Sequence, residues 1–280
     1  MAEITAAAVG KLREMTNAGL MDCKKALTEA QGDLNAAVDL LRKKGVVSAA
    51  KKASRDANEG VIAQHIQPGA RVGLIVEINC ETDFVAKNDS FRAFCDDVAK
   101  TLAADPAADV ETGRVAQVAK IGENIKISRF HRMDVTGNGL VAAYIHTGAK
   151  VGVLVEVGAE KEATVASEDF KQLVRDITLQ IAAASPYAVT RESIDPAVIA
   201  KEKEIAAEQV KNKPPQAIAK IIEGKLEKFY QTSCLIDQGF VKRNGEVTVK
   251  EHVASVGKAL GDTIVIRRFV RFQVGESPLK

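Results

Sequence analysis

The sequence predicts an α+β protein with an N-terminal three-helix domain, a duplicated α+β core and an inserted antiparallel helical hairpin. Three observations lead to this class. The start of the chain carries apolar residues at helical spacing, residues 59–94 align without a gap with residues 138–173, and two charged, Ala-rich stretches flank Pro214-Pro215. A chain of 280 residues is long enough for two or three domains.

The N-terminal domain with its linker, residues 1–55, is predicted from three helix-period segments. The first apolar face consists of Val9, Leu12 and Met15. Asp33 is a natural N-cap for the third helix, and Gly45 is predicted to end that helix. The stretch that follows is strongly basic, and two interpretations stay open: a solvated linker helix or a patch that contacts RNA.

The core is predicted from the internal repeat, in which each copy reads strand, Gly-containing turn, strand and helix. The recurring residues are Gly60, Ile66, Gly69, Gly73, Val76, Glu77 and Phe91, matched by Gly139, Ile145, Gly148, Gly152, Val155, Glu156 and Phe170. A further helix, Gly turn and strand follow the first copy. We therefore assign the first half to residues 56–137 and the second half to residues 138–184 plus 234–280.

The helical hairpin is assigned to residues 185–233, because Pro214-Pro215 would stop one helix and start the next. Its apolar positions are Ile205, Ile218, Ile221, Ile222 and Leu226. They either join the two arms or form a dimer contact, and both alternatives stay open. After the hairpin, Thr248 is a predicted helix cap, and an alternating strand at the end would rejoin the sheet of the second half.

Composition excludes several classes of function. The 39 basic and 37 acidic residues give a formal charge of +2, so no overall field draws the chain to nucleic acid or to a membrane. The four cysteines lack zinc or disulfide spacing, which fits a reducing cytoplasm. The N-terminus resembles no targeting signal, and no stretch approaches the ~18 apolar residues of a membrane helix.

Chemical motifs of enzymes are also missing from the sequence. It contains no phosphate-binding loop, no dinucleotide fingerprint and no nucleophile elbow. The four histidines are dispersed, and the neighbouring carboxylates Glu81 and Asp83 have no companion group for acid–base chemistry. We expect no enzymatic activity, no cofactor and no bound metal.

The segment "ETDFVAKND", residues 81–89, places Phe84 in a charged context where an aromatic ring would usually be buried. In the second copy the corresponding residue is Ala163, although Phe91 recurs as Phe170. The fold therefore builds this corner without the aromatic ring. Either Phe84 fills a gap peculiar to the first half, or it is an exposed aromatic presented to a partner.

Four motifs resemble the bacterial translation elongation factor Ts family, the guanine-nucleotide exchange factors of elongation factor Tu. The motifs are "MTNAGLMDCKKALTEAQGD", "VEINCETDFVAKND", "KIGENI" and "YIHTGAKVGVLVEV", in the order found in the family. The resemblance implies an N-terminal domain similar to ubiquitin-associated modules, a two-part core and a coiled-coil insertion that forms a homodimer in some members. It also implies a cytoplasmic protein that binds elongation factor Tu in its GDP-bound and nucleotide-free states.

The same resemblance implies which residues meet the GTPase. Thr82, Asp83, Phe84 and Val85 would enter it beside its magnesium ion and displace that ion, so that GDP leaves and GTP can bind. Further contacts implied in the same way are Arg13, Leu20, Met21, Ile121, Gly122 and His146. Two other classes stay open: an RNA-binding or ribosome-associated scaffold that uses residues 43–55, and a purely structural dimer formed through the hairpin.

Overall fold

The computed structural model describes residues 4–16, 18–210 and 214–276, and it confirms the mixed α+β class. The described helices are α1 (Ala6–Thr16), α2 (Leu20–Glu29), α3 (Leu34–Lys52), α4 (Asp83–Ala86), α5 (Asp89–Ala104), α6 (Glu111–Ile121), α7 (Glu162–Ala166), α8 (Glu168–Ala184), α9 (Pro196–Val210), α10 (Pro215–Ser233) and α11 (Val249–Leu260), with 3-10 turns at Arg191–Ser193, Leu235–Asp237 and Val241–Arg243. The strands are β1 (Glu59–Ile66), β2 (Val72–Cys80), β3 (Ile125–Asp134), β4 (Gly139–Ile145), β5 (Val151–Ala159) and β6 (Ile264–Gln273). Within the described ranges, no helix has the length and apolar character needed to cross a membrane.

Helices α1 to α3 enclose a small core of their own. Its fully buried members include Leu12, Cys23, Ala26, Leu27 and Ala37. Asp33 is confirmed as the N-cap of α3, since its carboxylate accepts hydrogen bonds from the N–H groups of Asn35 (2.8 Å) and Ala36 (3.0 Å). Of the predicted first apolar face, Val9 and Leu12 are confirmed as core residues, whereas Met15 is 55% exposed and its assignment to the core is wrong.

The prediction that Gly45 ends the third helix is wrong, because α3 continues to Lys52. Gly45 is buried against α6, where an added Cβ would stand 3.5 Å from the Cβ of Ala119. A glycine costs an exposed helix interior about 1 kcal/mol relative to alanine. Close packing of α3 on α6 offsets that cost. The glycine that resembled a helix end therefore marks a contact between two helices.

Two antiparallel sheets, β1-β2-β3 and β4-β5-β6, form the centre of the molecule. Helix α5 covers one face of the first sheet, and α8 covers the equivalent face of the second. The other two faces pack against each other around Ile62, Ile75, Met133, Val141, Leu154 and Phe272. The contact is reciprocal: the Ile62 N–H donates to Ala149 O (2.7 Å), and the equivalent Val141 N–H donates to Ala70 O (2.8 Å).

The duplication extends further than the aligned residues 59–94 and 138–173. In the first half α6 ends at Gly122 in the left-handed conformation and β3 follows, while in the second half α11 ends at Gly261 in the same conformation and β6 follows. The predicted closing strand is confirmed, because β6 pairs with β5. Thr248 is confirmed as a cap, in a reciprocal capping box with Glu251.

Gly152 sets the distance between the two sheets, and it provides a stability test. A Cβ there would lie 2.4 Å from Ile62 Cγ2. We expect Gly152→Ala to lower the free energy of unfolding by about 1–3 kcal/mol, because the sheets must separate to admit the methyl group. The matched control is Gly224→Ala on α10, where nothing lies within 4 Å and alanine favours the helix. Urea denaturation measures both, and equal stability of Gly152→Ala and the unchanged protein would refute this view.

Helices α9 and α10 pack against each other, with Ala206 and Val210 buried between them. Ile205, for which a contact between the arms and a dimer contact were both open, is 42% exposed. Helix α10 starts at Pro215, as predicted, whereas the turn at residues 211–213 lies outside the described residues. Arg191 ties α10 to the 3-10 turn beyond it by pairing with Glu227 (2.8 Å) and Asp237 (2.7 Å). Dimerisation through this hairpin stays a prediction.

Candidate functional site

The one-turn helix α4 carries the most exposed large apolar side chain of the described residues. Phe84 is 81% exposed, compared with 61% for Met21 and 55% for Leu20. The interpretation that Phe84 fills a gap in the first half is therefore wrong, and its exposure is confirmed. By contrast, Phe91 and Phe170 are fully buried in the two halves, as the repeat predicted.

One side of helix α4 packs on the core of the first half, although Phe84 is exposed. Ala86 is buried in the core of the first half, and Val85 packs against that core. Thr82 is the N-cap and accepts a hydrogen bond from the Val85 N–H (3.3 Å), while Arg92 Nε donates to Ala86 O (3.1 Å) at the other end. Phe84 therefore lies on a helix that is held by core packing and hydrogen bonds rather than on a free loop.

Two glutamates join α4 to the turn that follows α6. The Glu123 carboxylate accepts hydrogen bonds from the N–H groups of Glu81 (3.1 Å) and Thr82 (3.0 Å) and from the Thr82 hydroxyl (2.7 Å). In return, the Glu81 carboxylate accepts from the Asn124 N–H (2.6 Å). We name these four residues the carboxylate clamp. The clamp places the segment Thr82–Val85 beside Ile121–Gly122.

Sequence reasoning missed the clamp, although a signal for it existed. In the sequence Glu81 stands beside Asp83 and Glu123 lies within the KIGENI motif, and neither local context indicates that the two segments meet. In both halves an acidic residue follows the left-handed glycine: Glu123 follows Gly122, and Asp262 follows Gly261. Extending the repeat comparison past the aligned helices would have placed these two acids at equivalent positions.

Asp83, next to Phe84, is held by an ion pair within the same helix. Lys87 Nζ lies 2.7 Å from its carboxylate, and the Asp83 side chain is 47% exposed. This hydrogen bond lowers the pKa of the Asp83 carboxyl below its ordinary value. At neutral pH Asp83 is therefore a carboxylate on the surface, and its countercharge comes from its own chain.

The ion pair gives a test of this arrangement. In Lys87→Met we expect the pKa of Asp83 to move up toward its ordinary value, because the lysine hydrogen bond is the main cause of the downward shift. The carboxyl would then take up a proton at a higher pH, as an NMR titration of its carbon resonance would show. Lys171→Met, which removes the lysine partner of Glu168 on α8, should leave Asp83 unchanged. An unaltered Asp83 titration in Lys87→Met would contradict the assignment.

The other expected contact residues lie on different elements. Arg13 is exposed on α1, and Leu20 and Met21 are exposed at the start of α2. His146 is exposed after β4, with its Nδ1 2.9 Å from the Tyr144 hydroxyl. A partner that meets all of these together with Phe84 must therefore cover the N-terminal helices and both halves of the core.

The basic stretch, residues 43–55, is a charged surface rather than a defined binding site. It belongs to α3 as far as Lys52, and Lys44 is paired with Glu29 (2.5 Å). Val46 and Val47 interrupt the charges on this helix and are 56% and 54% exposed. Part of the charge is thus neutralised within the chain.

The described residues offer little chemistry of their own. They contain no group of three or more His, Cys, Asp or Glu side chains that could hold a metal ion. Burial, with a smaller contribution from Glu123, raises the pKa of the Cys80 thiol to about 12, so this thiol below α4 is not a nucleophile at neutral pH. An open groove of about 620 Å³ lies elsewhere, between the β1–β2 turn and α8. The exposed ring on the tethered helix α4 is suited to contact with another molecule.

Comparison with known proteins gives a consistent result. The family model described as elongation factor TS matches residues 81–276. Elongation factor Ts of Nautilia profundicola is 44% identical over 295 residues, covering 100% of this chain and 95% of that protein. The protein of the same name from Clostridioides difficile is 45% identical, covering 99% and 94%. That from Nitratidesulfovibrio vulgaris is 40% identical, covering 98% and 96%.

Proposed function

Because this chain belongs to the elongation factor Ts family, we propose that it is the guanine-nucleotide exchange factor of elongation factor Tu in translation elongation. The observation that carries the proposal is Phe84, an almost fully exposed aromatic side chain on a tethered helix. A monomer gains nothing from such a side chain in water, whereas aromatic anchors of this kind dominate the binding energy of interfaces.

The proposed mechanism acts on the metal side of the partner's nucleotide. A GTPase holds GDP through phosphate contacts and a magnesium ion that neutralises phosphate charge. Phe84 packs into an apolar niche of the partner and brings Asp83 toward the residues around that ion. The Asp83 carboxylate leaves Lys87 and competes for the magnesium network, so the ion is displaced and GDP is released.

Exchange follows from linkage between the two ligands of the partner. If the chain lowers the affinity of elongation factor Tu for GDP by some factor, GDP must lower the affinity for the chain by the same factor. The nucleotide-free partner is therefore the form that the chain binds best. GTP then binds from its larger supply and releases the chain, which acts on a partner GTPase and is not itself an enzyme.

Residues outside α4 enlarge the contact. Ile121 and Gly122 adjoin the site through the carboxylate clamp, so they meet the same region of the partner as Phe84. Arg13, Leu20 and Met21 extend the contact to the N-terminal helices, and His146 extends it to the second half. A homodimer through α9 and α10, and a cytoplasmic location, complete the proposal.

Retention on the immobilised chain tests this proposal at equilibrium. We expect nucleotide-free elongation factor Tu to be retained and to be shed when GDP is added, because the two ligands oppose each other. RNA retained in a salt-sensitive manner, and lost after charge reversal at Lys51 and Lys52, would instead favour the scaffold. Retention of the GTPase that GDP does not change would overturn the proposal.

A further inference from the structure

We propose that Glu123 is a positioning residue for nucleotide exchange, which fixes the orientation of Phe84 without touching the partner's nucleotide. This inference rests on the function proposed above and adds a residue to it. It assigns to the carboxylate clamp an effect on the rate of exchange rather than on the strength of binding.

One acceptor group, the Glu123 carboxylate, meets three donors. Two N–H groups and one hydroxyl, all from Glu81 and Thr82, point at the Glu123 carboxylate within 3.1 Å. An ionised carboxylate has only acceptor sites, so all three bonds form together and are charge-assisted. A glutamine removes the charge from all three bonds, and its NH₂ group must face either an N–H donor, which loses that bond, or the Thr82 hydroxyl, which must then accept instead of donate.

Helix α4 is only four residues long. A helix of one turn has no stability of its own, so its orientation depends on its anchors. Thr82 is the N-cap of this helix and the donor of the shortest bond to Glu123. The carboxylate therefore acts two residues away from Phe84, and a small displacement there changes where the ring enters a partner.

The carboxylate clamp is reciprocal. Glu123 follows Gly122, whose φ of 88° turns the chain back toward α4, and the next residue, Asn124, donates to Glu81. The Asn124 side chain also donates to Arg55 O (2.8 Å), beyond the end of α3. Breaking the Glu123 bonds thus loosens α4 relative to the Ile121–Gly122 turn as well.

The second half supplies a natural control. Asp262 occupies the position equivalent to Glu123 and accepts a hydrogen bond from the Lys161 N–H (3.0 Å), while Thr164 also hydrogen-bonds to it. This acid supports α7, where Ala163 stands in place of Phe84. If the acids only stabilised the fold, both would matter alike. If Glu123 positions Phe84, it alone affects exchange.

Stopped-flow release of fluorescent GDP from elongation factor Tu, at increasing concentrations of the chain, separates these cases. We expect Glu123→Gln to lower the maximal release rate about tenfold, with the half-saturating concentration changed less than about threefold, because the remaining contacts persist. Glu123→Asp keeps the charge, as Asp262 does in the second half, and should restore part of the rate. Asp262→Asn should match the unchanged chain.

Three outcomes would overturn the inference. The first is a normal maximal rate in Glu123→Gln while the unchanged chain accelerates release, which leaves the proposed function intact. The second is an equal loss in Asp262→Asn, which makes both acids merely structural. The third is no acceleration by the unchanged chain, which removes the proposed function too. If Glu123→Gln fails to fold, Thr82→Val removes the hydroxyl donor instead, and a normal maximal rate in that variant would also overturn it.

Discussion

Replacing Phe84 with alanine should slow GDP release from elongation factor Tu by about thirtyfold to a thousandfold at equal concentrations of the chain. An aromatic hot spot contributes about 2–4 kcal/mol when it is fully buried in an interface, and each 1.4 kcal/mol corresponds to a factor of ten. The loss should appear mainly in the exchange step, because Phe84 acts where the nucleotide and the chain compete for the partner. Since the side chain is 81% exposed in the free chain, the substitution should leave the free energy of unfolding almost unchanged.

Ala163→Phe is the matched control for this experiment. It places an aromatic ring on α7, which is equivalent to α4 in the second half, but the ring does not lie beside Ile121 and Gly122. We expect it to leave exchange unchanged, and the double variant Phe84→Ala with Ala163→Phe to behave as Phe84→Ala does. Restored exchange in the double variant would mean that the position of the ring does not matter, which would contradict the site.

Replacing Glu156 with glutamine should lower the free energy of unfolding by about 2–3 kcal/mol at neutral pH. Glu156 is 1% exposed and accepts hydrogen bonds from Arg267 (2.9 Å) and Arg268 (2.7 Å). Removing one member of a buried ion pair typically costs about 3–5 kcal/mol, because the other charge is left without a partner. We expect less here, since the arginine side chains are 28% and 47% exposed and water screens them.

The loss of free energy of unfolding in Glu156→Gln should depend on pH. Burial acts to raise the pKa of the Glu156 carboxyl, but hydrogen bonds from Arg267 and Arg268 outweigh it, so the pKa lies below its usual value. A depressed pKa stabilises the fold above the unfolded value of about 4.3, and that stabilisation is lost as the pH falls through the folded value. The difference between the two proteins should therefore be full at pH 7 and shrink below about pH 4.

Urea denaturation from pH 3 to pH 7 measures this effect. Glu168→Gln serves as the control, because Glu168 pairs with Lys171 on the surface and its side chain is 78% exposed. Surface pairs contribute little to stability, so this variant should follow the unchanged protein. A cost of Glu156→Gln that is absent at pH 7, or that does not depend on pH, would contradict the role assigned to Glu156.

Much of the fold could be predicted because its elements carry local signals. Asp33 and Thr248 accept hydrogen bonds from nearby N–H groups, so the residues alone indicate a helix start. The alternation and glycine turns of the repeat located the hairpins of both halves. A buried glycine and a helix-ending glycine look alike in sequence. Only the packing of Gly45 against α6 shows that it belongs to the first kind.

The candidate site was predictable in one respect and hidden in another. The exposure of Phe84 followed from comparing two copies of one fold, since Ala163 shows that the corner does not need the ring. The carboxylate clamp joins residues 81–82 to residues 123–124, far apart in the chain, and no local pattern reports such a contact. It required the register of β2 against β3, which brings the ends of these segments together.

The release of fluorescent GDP from elongation factor Tu, with excess unlabelled GDP and substoichiometric amounts of the chain, tests the central claim most directly. One molecule of an exchange factor must act on many partner molecules, because the incoming nucleotide releases it each time. We predict that the release rate increases with the concentration of the chain and that all of the bound GDP is exchanged. A release rate that stays at its intrinsic value at every concentration of the chain would contradict the account.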